Sequence, residues 1–154
     1  MVNVRAEPIP SASGRIPVGV LGATGSVGQR FVALLESHPW FQAVALAASD
    51  RSSGKRYGDA TRWVQAVPLS ARAAALTLLP STPPLPCRLV FSALDASVAG
   101  PIEEQFARAG CLVVSNTKSH RYDADVPLVV PEVNAAHLDL AATQRFGGGA
   151  ILTN

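Results

Sequence analysis

Three glycines stand at a spacing that could do chemistry: Gly22, Gly25 and Gly28, in the run Gly22-Ala23-Thr24-Gly25-Ser26-Val27-Gly28. Gly22 allows a sharp turn, Gly25 lets backbone approach a pyrophosphate, and Gly28 permits close helix–strand packing. The first turn of a following helix offers unpaired N–H groups to an anion, and the Thr24 and Ser26 hydroxyls add donors. The competing reading is a tight turn that binds nothing. A second cluster, Ser49-Asp50-Arg51-Ser52, begins 21 residues after Gly28, near the offset of about 20 at which such folds meet the adenosine ribose. Asp50 could accept from a ribose 2′-hydroxyl, which suits NAD. Ser49, Arg51 and Ser52 could instead hold a 2′-phosphate, with Lys55 adding charge, and this set favours NADP, leaving NAD the less favoured cofactor.

The remaining reactive side chains carry weaker signals. Cys87 precedes an apolar run and Cys111 begins one, so both read as inert structural thiols. His38, His120 and His137 are isolated from one another and form no metal-ligand spacing, so no metal is expected. Surface exposure is the default reading for His120.

These clusters need elements to position them. Residues 17–21 (PVGVL) form an apolar strand that runs into the glycines, and Val27, Phe31, Leu34 and Leu35 recur at helical spacing until His38-Pro39. Residues 43–48 (AVALAA) are a second strand. Strand, glycine turn, helix and strand make a βαβ unit with parallel strands. Residues 64–88 are harder to read: 63–67 suggest a strand, 73–79 a strand or a helix, and the proline-rich 80–86 a loop. The alternation then returns with a strand at 88–92, and a helix follows on Val98, Ile102, Phe106 and Ala109, closed by Gly110. Pro101 should lie in that helix's first turn, with Ser97 or a neighbour as cap. Strands are expected at 112–115, 128–130 and 150–153, with a helix from an Asn134 cap to about Arg145. The fold class is α/β: a doubly wound, Rossmann-like, mostly parallel sheet with helices on both faces.

Composition agrees. The chain has 154 residues, 48% of them hydrophobic and 16% charged, which excludes disorder and fits one domain. A net charge of +2 with 6% aromatics gives no footing for nucleic acid, and no apolar run approaches the roughly 20 residues of a membrane span. Residues 1–16 read as a flexible leader without the apolar core of a signal peptide, and 17–154 as an NAD(P)-binding domain. Two cysteines without an export signal point to the cytoplasm.

The blocks VGVLGATGSVGQRF, AASDRSSGKRYGDA, VFSALDASVAGPIE, VVSNTKSHR and DVPLVVPEVNAAHL, in this order, resemble aspartate-semialdehyde dehydrogenase, above all its archaeal and fungal branch. The likeness runs from Pro17 to Asn154 and is poor between about 64 and 88. The resemblance implies NADPH-dependent reduction of aspartyl phosphate to aspartate semialdehyde, in amino-acid biosynthesis, by an enzyme that is a homo-oligomer when complete. It implies that Thr24, Gly25, Ser26 and Val27 line the pyrophosphate, with Ser49, Arg51 and Ser52 at the 2′-phosphate. Ser92 and Ala93 would lie along the cofactor. Asn116 and Arg121 match the segment facing the transferred phosphate, where an arginine fork and an orienting amide suit the ligand. Thr117 stands where the family's small alanine is expected. The family's nucleophilic cysteine follows the stretch matching 151–154, so the resemblance places it beyond Asn154, with the domain truncated ahead of the catalytic and dimerisation part, and no catalytic residue is assigned within these 154. Related acyl-phosphate or acyl-CoA reductases, of N-acetyl-glutamyl-phosphate reductase or malonyl-CoA reductase type, and a non-catalytic nucleotide-binding module are the alternatives.

Overall fold

The computed structural model of the chain describes residues 14–154. Its strands are β1 (Ile16–Leu21), β2 (Phe41–Ala48), β3 (Leu78–Pro80), β4 (Leu89–Ser92), β5 (Leu112–Ser115) and β6 (Ala150–Thr153). They form one sheet in the order β3-β2-β1-β4-β5-β6, with every pairing parallel. The order reverses between β1 and β4, so the chain winds outward in both directions from the middle. In such sheets ligands bind at the carboxyl ends of the strands that flank the reversal.

Side-chain alternation along β1 explains why both faces need covering. Val18 and Val20 point to one face, where they pack with Val32 and Leu35 of α1 (Ser26–Glu36). Leu21 points to the other, against the cluster that holds Phe106 and Ala107 of α4 (Ala96–Arg108). All of these side chains are buried. Helices therefore sit on both faces. Among the described residues there are three further short helices, α2 (Tyr57–Ala60), α3 (Ala71–Ala75) and α5 (Pro131–Asn134), the last running into a 3₁₀ helix over Ala135–Thr143.

Several local expectations need correction. The leader expected at 1–16 lies, up to residue 13, outside the described residues, and Ile16 already belongs to β1, pairing with Phe41. Residues 63–67 are not a strand, and 73–79 splits into the end of α3 and the start of β3. Residues 128–130 form only a single bridge, Leu128 to Thr153. Asn134 does stand at the N-cap position of a helix carrying Leu138 and Leu140, but that helix is 3₁₀ and ends at Thr143, and the side chain makes no capping bond: Oδ1 accepts from the Val130 amide at 2.7 Å and Nδ2 donates to the Leu128 carbonyl at 2.9 Å.

Both long helices keep part of the face that spacing suggested, Leu35 and the partly buried Phe31 in α1 and Phe106 and the partly buried Ile102 in α4, but each is turned so that neighbouring positions are buried too. In α1 the buried residues are Gly28, Gln29, Val32 and Leu35, while Leu34 is 50% exposed. A Cβ on Gly28 would stand 2.2 Å from the Gly22 carbonyl oxygen. That contact sets the helix's rotation and turns Val27 outward. In α4 the buried residues are Ala99, Glu103, Phe106 and Ala107. Its cap is Asp95, whose carboxylate accepts from the Ser97 amide at 2.9 Å. Pro101 lies in the second turn, where the Ser97 carbonyl loses its amide partner but both residues remain exposed to water. As expected, Gly110 closes the helix, at φ +85°. The Cys111 and Gly110 amides donate to the Phe106 and Ala107 carbonyls, which satisfies the helix end.

Candidate functional site

One row of register partners crosses the sheet near its carboxyl edge: Ala47, Leu21, Ser92, Ser115 and Thr153. The residues singled out in the sequence lie at that row or just past it. Ser49, Arg51 and Ser52 follow β2, the glycine run follows β1, Ser92 ends β4 with Ala93 after it, and Asn116 follows β5.

The glycine run has the geometry its spacing suggested. Gly22 sits at φ +73°, and a Cβ there would meet the Ala93 carbonyl oxygen at 2.6 Å, so only glycine fits. The turn is pinned to both neighbouring strands, with the Ala23 amide donating to Ala47 and the Ala93 amide to Leu21. Gly25 is the N-cap of α1, exposed, with no side-chain cap on the helix. A Cβ on Gly25 would have a neighbour no nearer than 3.5 Å, so its lack of a side chain answers no crowding inside the protein. The first-turn amides of α1 have no preceding carbonyls, and they open beside the exposed Ser26 and Val27.

Side chains that the sequence reading did not single out hold the carbonyl side of this turn. The buried Tyr57 hydroxyl donates to the Ala23 carbonyl at 2.8 Å. The buried Gln29 amide donates to the Thr24 carbonyl at 2.9 Å and to Arg62 at 3.1 Å, and its oxygen accepts from the Val64 amide at 2.8 Å. Gln65 donates to the Ser26 carbonyl at 3.1 Å. The irregular segment 61–67 thus serves as a brace for the glycine turn. Burial raises the Tyr57 hydroxyl's pKa above its ordinary value, so it stays a donor.

Beyond β2 the chain makes a tight turn, with the Ser52 and Ser53 amides donating to the Ser49 carbonyl. Ser49 and Arg51 are exposed, and Arg51 makes no ion pair among the described residues. Ser92 is fully buried at the sheet's switch point, yet its hydroxyl has no partner among the described residues. A buried orphan hydroxyl costs free energy unless something bonds to it.

Past β5, exposed Asn116 lies between buried Ser115 and buried Thr117, and Arg121 follows buried His120. The Arg121 Nε is buried without a partner among the described residues. Beneath this loop the fully buried Glu103 accepts from the Ser115 hydroxyl at 2.7 Å and the Thr117 hydroxyl at 3.3 Å. The sequence did not single out Glu103, because the face of α4 that its apolar residues suggested lies one position away. The surface reading of His120 is overturned: it is 5% exposed, with Nδ1 2.9 Å from Asp123 and Nε2 3.3 Å from the Gly100 carbonyl. It fills the space between α4 and the loop.

Cys87 and Cys111 are both buried and free. Burial pushes the Cys87 thiol up to about 12 and raises Cys111 as well, so neither is poised as a nucleophile. Among the described residues no group of His, Cys, Asp and Glu could hold a metal, and no helix is long and apolar enough to cross a membrane.

Comparison with known proteins joins these features. The profile of a family described as semialdehyde dehydrogenase, NAD binding domain, matches residues 17–141. An aspartate-semialdehyde dehydrogenase of Trichophyton rubrum is 52% identical over 129 residues, which is 82% of this chain and 36% of that protein. One from Archaeoglobus fulgidus is 44% identical over 144 residues, 91% of this chain and 42% of that one. A crystal structure of aspartate semialdehyde dehydrogenase with NADP from Candida albicans superposes with a TM-score of 0.81 at 47% identity, covering 89% of this chain and 41% of that one. The chain therefore spans about two fifths of the length of these relatives.

Proposed function

This chain belongs to the semialdehyde dehydrogenase family through its NAD-binding domain, and from that premise we propose that it binds NADP and serves the reduction of aspartyl phosphate to aspartate semialdehyde. The row of candidate residues along the carboxyl edge carries the reading. Ser49, Arg51 and Ser52 take the 2′-phosphate end, and Gly22, Thr24, Gly25, Ser26, Val27 and Gly28 the pyrophosphate. Ser92 and Ala93 run along the cofactor, while Asn116 and Arg121 take the phosphate that is transferred. Neighbouring strands lie about 4.8 Å apart, so the span from β2 to β5 is roughly 14 Å, a reach suited to an extended ligand.

The residues present fit such a cofactor. The uncapped α1 and the open approach at Gly25 suit a pyrophosphate, and the orphan Ser92 hydroxyl has a donor left to give. When bound, the nicotinamide supplies the hydride for the reduction. The chain's own part is to bind and orient. First-turn amides of α1 neutralise the pyrophosphate, while Tyr57 and Gln29 keep the turn's carbonyls facing away from it. Arg121 offers its guanidinium to a phosphoryl group, with Asn116 orienting that group without adding charge.

NADP is favoured over NAD because the donors of the turn after β2 outnumber its one carboxylate, Asp50. Titration calorimetry on this chain should show NADPH binding more tightly than NADH. Arg51→Ala should weaken NADPH roughly ten- to 150-fold, the loss of about 1.5–3 kcal/mol for a hydrogen bond to a charged group, and barely alter NADH. Equal affinity for both cofactors, or indifference to the substitution, would turn the reading to Asp50 and NAD.

A further inference from the structure

We propose that Glu103 is a positioning residue: its buried carboxylate grips the loop after β5 from below and so presents Asn116 and Arg121 to the phosphate. The inference rests on the phosphate reading of that loop given above.

The loop's residues divide by what they face. Ser115, Thr117 and His120 are buried towards Glu103, whereas Asn116 and Lys118 between them are exposed. Each anchored hydroxyl does two things. The Ser115 hydroxyl donates to Glu103 at 2.7 Å and accepts from the Thr117 amide at 3.0 Å. The Thr117 hydroxyl reaches the same carboxylate at 3.3 and 3.5 Å and accepts from the Ser119 amide at 3.3 Å. Loop backbone is thus tied through hydroxyls to one carboxylate on α4. A carboxylate with no exposed surface is costly unless paired and hydrogen-bonded, and these bonds answer that cost.

His120 completes the grip. Nδ1 faces Asp123 at 2.9 Å, and that hydrogen bond, more than the added one from Arg145, holds the Asp123 carboxyl below its ordinary range. Nε2 faces the Gly100 carbonyl at 3.3 Å and Glu103 at 3.7 Å. With Asp123 on one side of the ring and Gly100 and Glu103 of α4 on the other, the imidazole bridges the loop to the helix. Arg121 is the next residue in the chain, and its buried Nε has no partner among the described residues. Holding His120 therefore fixes where the arginine leaves the backbone. Thr117, at the position where the family's alanine was expected, adds a second hydroxyl to the grip.

The test uses this 154-residue chain and inorganic phosphate, followed by amide and arginine Nε–H signals in heteronuclear NMR. Arg121→Ala should abolish the phosphate response. Glu103→Gln should weaken phosphate about tenfold, the scale of one lost hydrogen bond to a charged group, and leave the NADPH affinity of the same sample unchanged. Thr117→Ala should weaken phosphate by a smaller factor, and Thr117→Ser should restore it. A purely structural role would instead lower stability and leave the ratio of phosphate to NADPH affinity alone. Wild-type phosphate affinity in Thr117→Ala and in a folded Glu103→Gln, with Arg121→Ala still abolishing binding, would overturn the positioning role by itself. If Glu103→Gln does not fold, the two Thr117 variants decide. No phosphate binding by the wild type, or indifference to Arg121→Ala, would overturn the phosphate reading and this proposal with it.

Discussion

Gly25 and Gly28 lie three residues apart on the same turn, yet a methyl group added at each would meet different things. At Gly28 it would press on the Gly22 carbonyl at 2.2 Å and the Ala23 Cα at 2.7 Å, both backbone atoms that cannot swing away. At Gly25 nothing lies nearer than 3.5 Å. Gly28→Ala should therefore cost about 1–3 kcal/mol or more, as overpacking does. In a chain of this length that lowers the melting temperature by roughly 2–12 °C. Gly25→Ala should melt like the wild type and lose NADPH affinity, since the only thing its Cβ can obstruct is a ligand. Thermal melts and calorimetry on the two variants separate the roles, and a Gly25→Ala chain that binds NADPH normally would remove the pyrophosphate from that turn.

At the scale of elements, the strands were legible where alternation or apolar runs met glycine or proline. The glycine turn was legible because three glycines needed both a strand before and a helix after. Helix rotation was legible only in part. Periodicity on α1 pointed to Val27, Phe31, Leu34 and Leu35, but the Gly22–Gly28 contact decided the face, and that contact joins residues no hydrophobic pattern records. The brace of Tyr57, Gln29 and Gln65 was illegible for a related reason: its bonds run from side chains to carbonyls across as many as 39 residues of sequence. Glu103 did leave a signal, a carboxylate at helical spacing from Ala99, Phe106 and Ala107, visible only once the helix's true face was known.

A second tie between elements gives a pH dependence with a definite sign. Arg145, ahead of β6, pairs with Asp125, with Asp123 at 2.9 Å and with Glu104 of α4 at 3.2 Å, while lying over the Phe146 ring. The Arg145 hydrogen bond holds Asp125 below the ordinary carboxylate range, and His120 followed by Arg145 does the same for Asp123. For Glu104, burial pushes upward, but Arg108 and Arg145 together outweigh it. Depressed folded-state values mean that this stability is complete above the unfolded-state values of about 4 and is lost as pH falls through the lower, folded ones. Urea midpoints should hold steady down to about pH 5 and drop below pH 4. Arg145→Met should lower the midpoint at pH 7 and flatten the acid limb, because the carboxyls then lose their reason to titrate low. An acid limb as steep in the variant as in the wild type would assign the loss to other carboxyls.

Across the whole molecule, the order β3-β2-β1-β4-β5-β6 places the four proposed contact regions side by side on one edge, although more than 70 residues of sequence separate Ser49 from Arg121. A cofactor laid along that edge touches the ends of β2, β1 and β4 together, beside the phosphate proposed at β5, and it ties the two outward-winding halves across their switch point. Binding should then stabilise the fold as a unit and not one loop at a time. At a hundredfold excess over its dissociation constant, a ligand that binds only the native state adds about 2.7 kcal/mol. For about 150 residues that is a rise of roughly 5–10 °C in a melt followed by circular dichroism. NADPH should produce it, and the 2′-phosphorylated adenosine fragment alone should produce less at the same free concentration, since it reaches only the β2 and β1 end. The Arg51→Ala chain should need a higher NADPH concentration for the same shift, by the factor its affinity falls, because the other contacts along the edge remain. A rise with the adenosine fragment equal to that with NADPH would mean that the cofactor is held at one end only, and that Ser92 and Ala93 take no part in binding it.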